Sequence, residues 1–179
     1  MTDLAGITLE AIRVRITRVL PAQVRGAVDK LDDKELWWRP NEKSNSVGNL
    51  VLHLSGSLNL YLNRMIGGFP YQRDRDAEFA ERGPVPRSEL LRIFNDMVSK
   101  AEKSFDKVTD LTAPATDKEK NDYVIEDLIG ILTHVANHVG QILWITKSLE
   151  EGSLDELWMR THKHEGGWKS QKAEGGKQK

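Results

Sequence analysis

The chain contains no cysteine. A disulfide framework, a thiolate zinc site and a cysteine nucleophile are all excluded at once, so any thiol chemistry must use a thiol from outside the chain. An excess of charge of one sign is lacking too. With 26 basic and 27 acidic residues the formal net charge is −1, which gives no broad field to steer nucleic acid or anionic lipid. No run approaches the roughly 18 consecutive apolar residues of a membrane span. The opening MTDLAGITLEAIRVRITRVL interleaves apolar and charged residues where a signal peptide would carry an unbroken apolar stretch. A cytoplasmic protein with no nucleic-acid and no membrane partner is therefore expected. There is no phosphate loop, no Gly-x-Gly-x-x-Gly, no His-Glu-x-x-His and no Gly-x-Ser-x-Gly. Strand alternation and internal repeats are missing as well.

What remains is helical periodicity. The 179 residues suit one domain with a core of ordinary size. Residues 3–31 carry apolar positions such as Ile7, Ile12, Ile16 and Val24, with Pro21 expected to kink or split the helix. Residues 32–46 connect. Arg39-Pro40 stops regular structure, Ser44, Asn45 and Ser46 offer N-caps, and Trp37 or Trp38 is expected to close an end of the core. A second helix over 47–66 shows the stripe Leu50, Leu54, Leu58 and Leu62 and ends at Gly67-Gly68-Phe69-Pro70. Residues 72–86 read as a long charged loop. Its run 73–76 is solvated or locally paired, with covering a pocket as the alternative. A third helix spans 87–108 with Ser88 as N-cap, 109–122 is a loop, and the most apolar helix covers 124–149.

Gly152 should end that helix, with a short docked turn over 154–159. The domain thus covers 1–159, and the polar residues 160–179 form a tail without fixed structure. Four long amphipathic helices and no strands call for an all-α fold, a four-helix bundle.

Three of the five histidines lie inside apolar helices. His134 and His138 are four apart and project from one helix face, and His53 lies beside the stripe of the second helix. Side chains on facing helices of a bundle can converge on a metal, and three neutral imidazoles with an open position suit zinc, nickel or iron(II). Gln141, and Asn49 one turn before His53, are candidates to orient an imidazole. Hydrogen-bonded core histidines are the plainer explanation of the same residues, and spacing alone does not show that the two helices meet. His162 and His164, in the polar tail, are not expected to be specific ligands. Without a Glu-x-x-His in the helices, a ferritin-like di-iron centre is not expected.

Two segments carry a family resemblance. Leu36-Trp37-Trp38-Arg39-Pro40-Asn41 followed by Asn45-Ser46-Val47-Gly48-Asn49-Leu50-Val51-Leu52-His53-Leu54 resembles the first motif region of the DinB-like (DinB/YfiT) superfamily. His134-Val135-Ala136-Asn137-His138-Val139-Gly140-Gln141-Ile142 resembles the second. The charged segment 72–84 is similar to that of one subgroup, DUF1572. The resemblance covers about residues 5–150. It implies a four-helix bundle of up-down-down-up order and a metal triad at His53, His134 and His138, all three positions matching.

Some members of that superfamily look like metal-dependent transferases or isomerases that use a low-molecular-weight thiol. The leading expectation is therefore an enzyme with one divalent metal, zinc or nickel before iron, that turns a small thiol on an electrophile. A metallohydrolase and a non-catalytic dimeric binding or structural bundle are the alternatives. No residue stands out as a separate catalytic acid or base. A homodimer is expected, with the first and third long helices as the guessed contact.

Overall fold

The computed structural model describes residues 3–83, 85–115 and 122–150. The expected docked turn and tail, with Gly152, His162 and His164, lie outside the described residues. Secondary structure is helical throughout the described residues apart from one isolated antiparallel bridge, Pro114 with Tyr123. The all-α expectation is met.

The first long segment is two helices in line, α1 (Leu4–Val14) and α2 (Leu20–Lys30), joined by a π-helical stretch, Arg15–Val19. Leu20 N–H bonds Arg15 O, five residues back. Pro21 follows in the first turn of α2, with the backbone helical on both sides of it. The proline cannot donate the next bond of the π-helical series, and the wider turn accommodates its ring without breaking the helix.

Helix α3 (Val47–Leu58) begins at Ser46 with a reciprocal cap: Asn49 N–H donates to Ser46 Oγ at 3.1 Å, and Ser46 N–H donates to Asn49 Oδ1 at 3.3 Å. It runs into a second π-helical stretch, Asn59–Arg64. Asn63 inside that stretch bonds Asn59 Oδ1 at 2.8 Å and Met97 O at 3.1 Å, and Ser104 Oγ donates to it at 3.0 Å. The segment expected to be a loop holds α4 (Arg75–Ala80), capped by Asp74 Oδ1 on Ala77 N–H at 3.0 Å. Helix α5 (Arg87–Phe105) starts after Pro86, so the Ser88 cap was misplaced. Asp33 Oδ1, distant in sequence, accepts the Arg87 N–H at 3.0 Å. Helix α6 (Val124–Leu149) has the expected bounds.

Helix α2 packs on α6, α3 packs on both α5 and α6, and α4 lies across α3. Ile16, Val24, Leu36, Leu50, Leu54, Leu62, Leu90, Met97, Leu128 and Ile142 are among the side chains that fill the shared core. Trp37 closes one end. It is half-buried, its ring lies against Gly48, and its Nε1 donates to Val85 O at 3.2 Å. Trp38 is 40% exposed.

By length and mean composition α6 is apolar enough to cross a membrane, which no consecutive apolar run foretold. The cause is its middle without Asp, Glu, Lys or Arg, where Gly130, Thr133, His134, Asn137, His138, Gly140 and Gln141 interrupt the apolar run. Leu128, Ile131, Val135, Val139, Ile142 and Ile145, its apolar stripe, face the shared core.

Candidate metal centre

Packing of α3 against α6 brings His53, His134 and His138 together. One ring nitrogen from each lies within 4.8 Å of the others. The ring centroids are 5.1 Å (His53–His134), 4.8 Å (His53–His138) and 4.5 Å (His134–His138) apart, and the rings stand at 70–82° to one another. The rings meet edge to face and are not stacked on one another, and one nitrogen of each is near enough to the others to share an ion.

Each imidazole has a local partner. His53 is buried, and its Nδ1 lies 3.0 Å from Glu78 Oε2. A carboxylate only accepts, so Nδ1 carries the proton and Nε2 keeps its lone pair. The Arg73 Nη2 that sits 3.2 Å from the same Nδ1 is then a neighbour and not a second hydrogen-bond donor to it. His138 Nδ1 lies 2.8 Å from Gln141 Oε1 and donates to it in the same manner. His134 Nε2 faces Ser57 Oγ at 3.2 Å. Burial, the first cause, lowers the pKa of His53, opposed by its bond to Glu78. Burial again, then the neighbouring His138, His53 and Arg73, pushes His134 down to about 4. Both rings are neutral at pH 7, as ligation demands.

Glu78 is the residue that sequence reasoning missed. It is 7% exposed and sits on α4, within the segment read as a charged loop. Arg73 clamps it with two bonds of 2.7 Å, Nε to Oε1 and Nη2 to Oε2. The run 73–76 is thus locally paired through Arg73 and also lines a pocket. Asn49 makes no hydrogen bond with His53, contrary to the orienting role considered for it. Its Nδ2 instead donates to Glu78 O at 3.0 Å and Glu81 O at 2.9 Å, which fastens α4 to α3 and so places the carboxylate. Gln141 does orient its histidine. Gly56 gives Glu78 its room: a Cβ there would stand 2.7 Å from Glu78 Cδ. These close approaches are invisible in a one-dimensional pattern, although an unbroken helix carrying a glycine one turn after a histidine hints at something seated above it.

The triad forms part of the wall of a cavity of ≈ 620 Å³, a size suited to a small molecule. Leu58, Tyr61, Met65, Phe79 and Ile131 give it apolar surface, with Arg73 and Arg75 on the α4 side and Glu126 and Asp127 on the α6 side. The donor set fits a divalent metal. It offers three imidazoles, two of them oriented through Nδ1 by an oxygen acceptor, as histidine ligands of zinc and its neighbours usually are.

A family model described as "Protein of unknown function (DUF1572)" matches residues 5–162. No curated protein and no solved structure matches the chain.

Proposed function

The chain belongs to the DUF1572 family, and from that premise we propose that it is a metal-dependent enzyme in which His53, His134 and His138 hold one divalent ion beside a small-molecule pocket. The observation that carries this reading is the convergence of three imidazoles at the wall of a ≈ 620 Å³ cavity, with the outer nitrogens of two of them already occupied by Glu78 and Gln141. The pairing of α2 with α6 and of α3 with α5 is consistent with a DinB-like four-helix bundle of up-down-down-up order, the superfamily to which the motif segments point. Zinc or nickel suits the donor set best, with iron(II) next.

When bound, such a metal lowers the pKa of a thiol or water at its open position. The protein's own groups do the rest. Glu78 and Gln141 hold two ligands in the tautomer that faces the site, Leu58, Tyr61, Met65 and Phe79 give the pocket apolar surface, and α4 forms one wall. The reaction class is transfer of a small thiol to an electrophile: a sulfur–carbon bond forms, the leaving group departs with its electron pair, and the thiol proton passes to solvent. Glu78, the carboxylate in contact with the triad, is tied up by Arg73 and His53. Glu78 therefore acts as a positioning residue for His53, and the thiol and water readings are separated by experiment. The cytoplasmic location and the homodimer remain part of the proposal.

Bound metal should be counted in protein purified without a histidine tag, followed by cobalt(II) substitution and addition of glutathione, cysteine, coenzyme A, bacillithiol and mycothiol in turn. A thiolate-to-cobalt charge-transfer band with one of them, together with turnover of a model electrophile, supports the transferase. Hydrolysis of an ester or amide with no response to thiols makes it a hydrolase. If metal removal only lowers thermal stability, the bundle is a structural module.

A further inference from the structure

Two guanidinium groups face the cavity from the α4 side, and their chemistry is only partly used by the protein. Arg73 spends Nε and Nη2 on Glu78. Its Nη1 has no hydrogen-bond partner among the described residues. Arg75 is exposed and makes neither a hydrogen bond nor an ion pair with any described residue, and its guanidinium lies over the Phe79 ring, 5.0 Å from the centroid. Phe79 in turn lies against His53, with ring centroids 4.7 Å apart. A stack of three groups, His53, Phe79 and Arg75, therefore leads from the metal triad to a cation on the cavity wall.

Glu78 neutralises Arg73, which leaves Arg75 as the cation of the cavity lining on the α4 side without an ion pair among the described residues. The opposite wall is acidic, with Asp122 just before α6 and Glu126 and Asp127 in its first turn. Glu126 is committed to capping, its Oε2 accepting the Tyr123 N–H at 2.8 Å, and Asp127 also has interactions of its own. An anion entering the cavity is repelled from the α6 wall and attracted to the α4 wall. Arginine offers a carboxylate two parallel donors, and stacking on an aromatic ring leaves that fork free.

We infer that Arg75, backed by the free Nη1 edge of Arg73, recognises a carboxylate on the small molecule whose other end reaches the histidine triad. This rests on the metal reading above. It narrows the ligand class to small molecules with a metal-binding head at one end and a carboxylate at the other, and it makes Arg75 a specificity-determining residue.

The cobalt(II)-loaded full chain is titrated with three thiols that share a head and differ in tail charge: 3-mercaptopropionate, 2-mercaptoethanol and cysteamine. Comparing preferences between variants cancels the intrinsic basicity of each thiol. The ratio of 3-mercaptopropionate to 2-mercaptoethanol affinity should be about fivefold higher in wild type than in Arg75→Gln, the value of roughly 1 kcal/mol for an ion pair open to solvent, and Arg75→Lys should keep part of that difference. Relative to 2-mercaptoethanol, cysteamine should bind more weakly in wild type than in Arg75→Gln. The same ratios in wild type and Arg75→Gln, with native circular dichroism and metal content, overturn the inference.

If no thiol alters the cobalt spectrum, the thiol reading of the metal falls. The arginine is then judged on metal-free protein, from the Arg75 Nε–H resonance in the presence of succinate or the uncharged succinamide. A shift with succinate alone sustains carboxylate recognition, and no shift with either ends it.

Discussion

His53 and Glu78, 25 residues apart in sequence and on different helices, meet through a 3.0 Å hydrogen bond. The bond joins the most buried imidazole of the triad to a carboxylate that is itself enclosed, and Arg73 closes the far side of that carboxylate. A histidine that gives its Nδ1 proton to a fixed acceptor can offer only Nε2 to a metal, and its ring loses the freedom to turn away. The pair thus converts a core histidine into a ligand of one defined orientation.

Replacing Glu78 by Gln should weaken metal binding by about 10- to 100-fold, because an amide can present its NH2 as readily as its oxygen to Nδ1. Competition with a chromophoric chelator measures this. The change also leaves Arg73 buried without its partner charge, which costs about 3–5 kcal/mol at a site of this kind. Affinities should therefore be compared in folded protein, and also in an Arg73→Gln, Glu78→Gln double variant that removes the orphaned cation. Wild-type affinity in that double variant would show that Glu78 does not orient His53.

Gly56→Ala gives an outcome whose sign is informative. In a helix interior alanine is favoured over glycine by about 1 kcal/mol. Here the added Cβ would stand 2.7 Å from Glu78 Cδ and 3.4 Å from Arg73 Nε, so the ion pair must move. We expect net destabilisation of about 1–3 kcal/mol by urea melting, with a parallel loss of metal affinity. A more stable Gly56→Ala protein would mean that α4 can lift away from α3 without cost.

The long elements were legible because their physics is local. Helix α6 matched its expected bounds since its apolar period runs over 26 residues with turn-forming sequence on either side. Ser46 was one of three candidate caps and proved to be the one used. Pro21 was read as a kink or break, and the π-helical stretch before it supplied a third solution that no propensity encodes. Helix α4 was missed for a different reason. Six residues are too few to show a period, and its anchors are tertiary: Asn49 Nδ2 on two of its carbonyls and Arg73 on Glu78. The triad itself was readable from helical spacing and motif resemblance, whereas Glu78 looked like one more charge in a charged run.

Alanine at each triad position should abolish stoichiometric metal, since two imidazoles without a third protein donor hold an ion far more weakly. His162→Ala and His164→Ala should leave metal content unchanged. Metal analysis of the five purified variants decides it. Equal content in all five would put the ion elsewhere.

Light scattering at micromolar concentration should report a dimer. A monomer that still binds stoichiometric metal would detach the homodimer from the rest of the proposal, because the triad draws all three imidazoles from one chain.

The metal-free protein should lose stability in mild acid, in a window set by His134. Its folded-state pKa is pushed down to about 4, first by burial and then by the neighbouring His138, His53 and Arg73, while the unfolded chain titrates near 6.5. Below 6.5 the unfolded state takes up a proton that the folded state refuses, so stability falls as pH drops from about 6.5 towards 4 and this loss levels off once the folded ring also protonates. The lowered pKa of His53 acts with the same sign. A bound metal steepens the dependence, because protons then compete with it for the imidazoles as well. Urea midpoints between pH 7.5 and 4 should therefore fall in wild type, fall less in His134→Leu, and fall most steeply in metal-loaded wild type. If the metal-free midpoints do not change between pH 7 and 5, or if His134→Leu follows wild type throughout, His134 is not held neutral by its surroundings, and the electrostatic basis for a ready imidazole triad is lost.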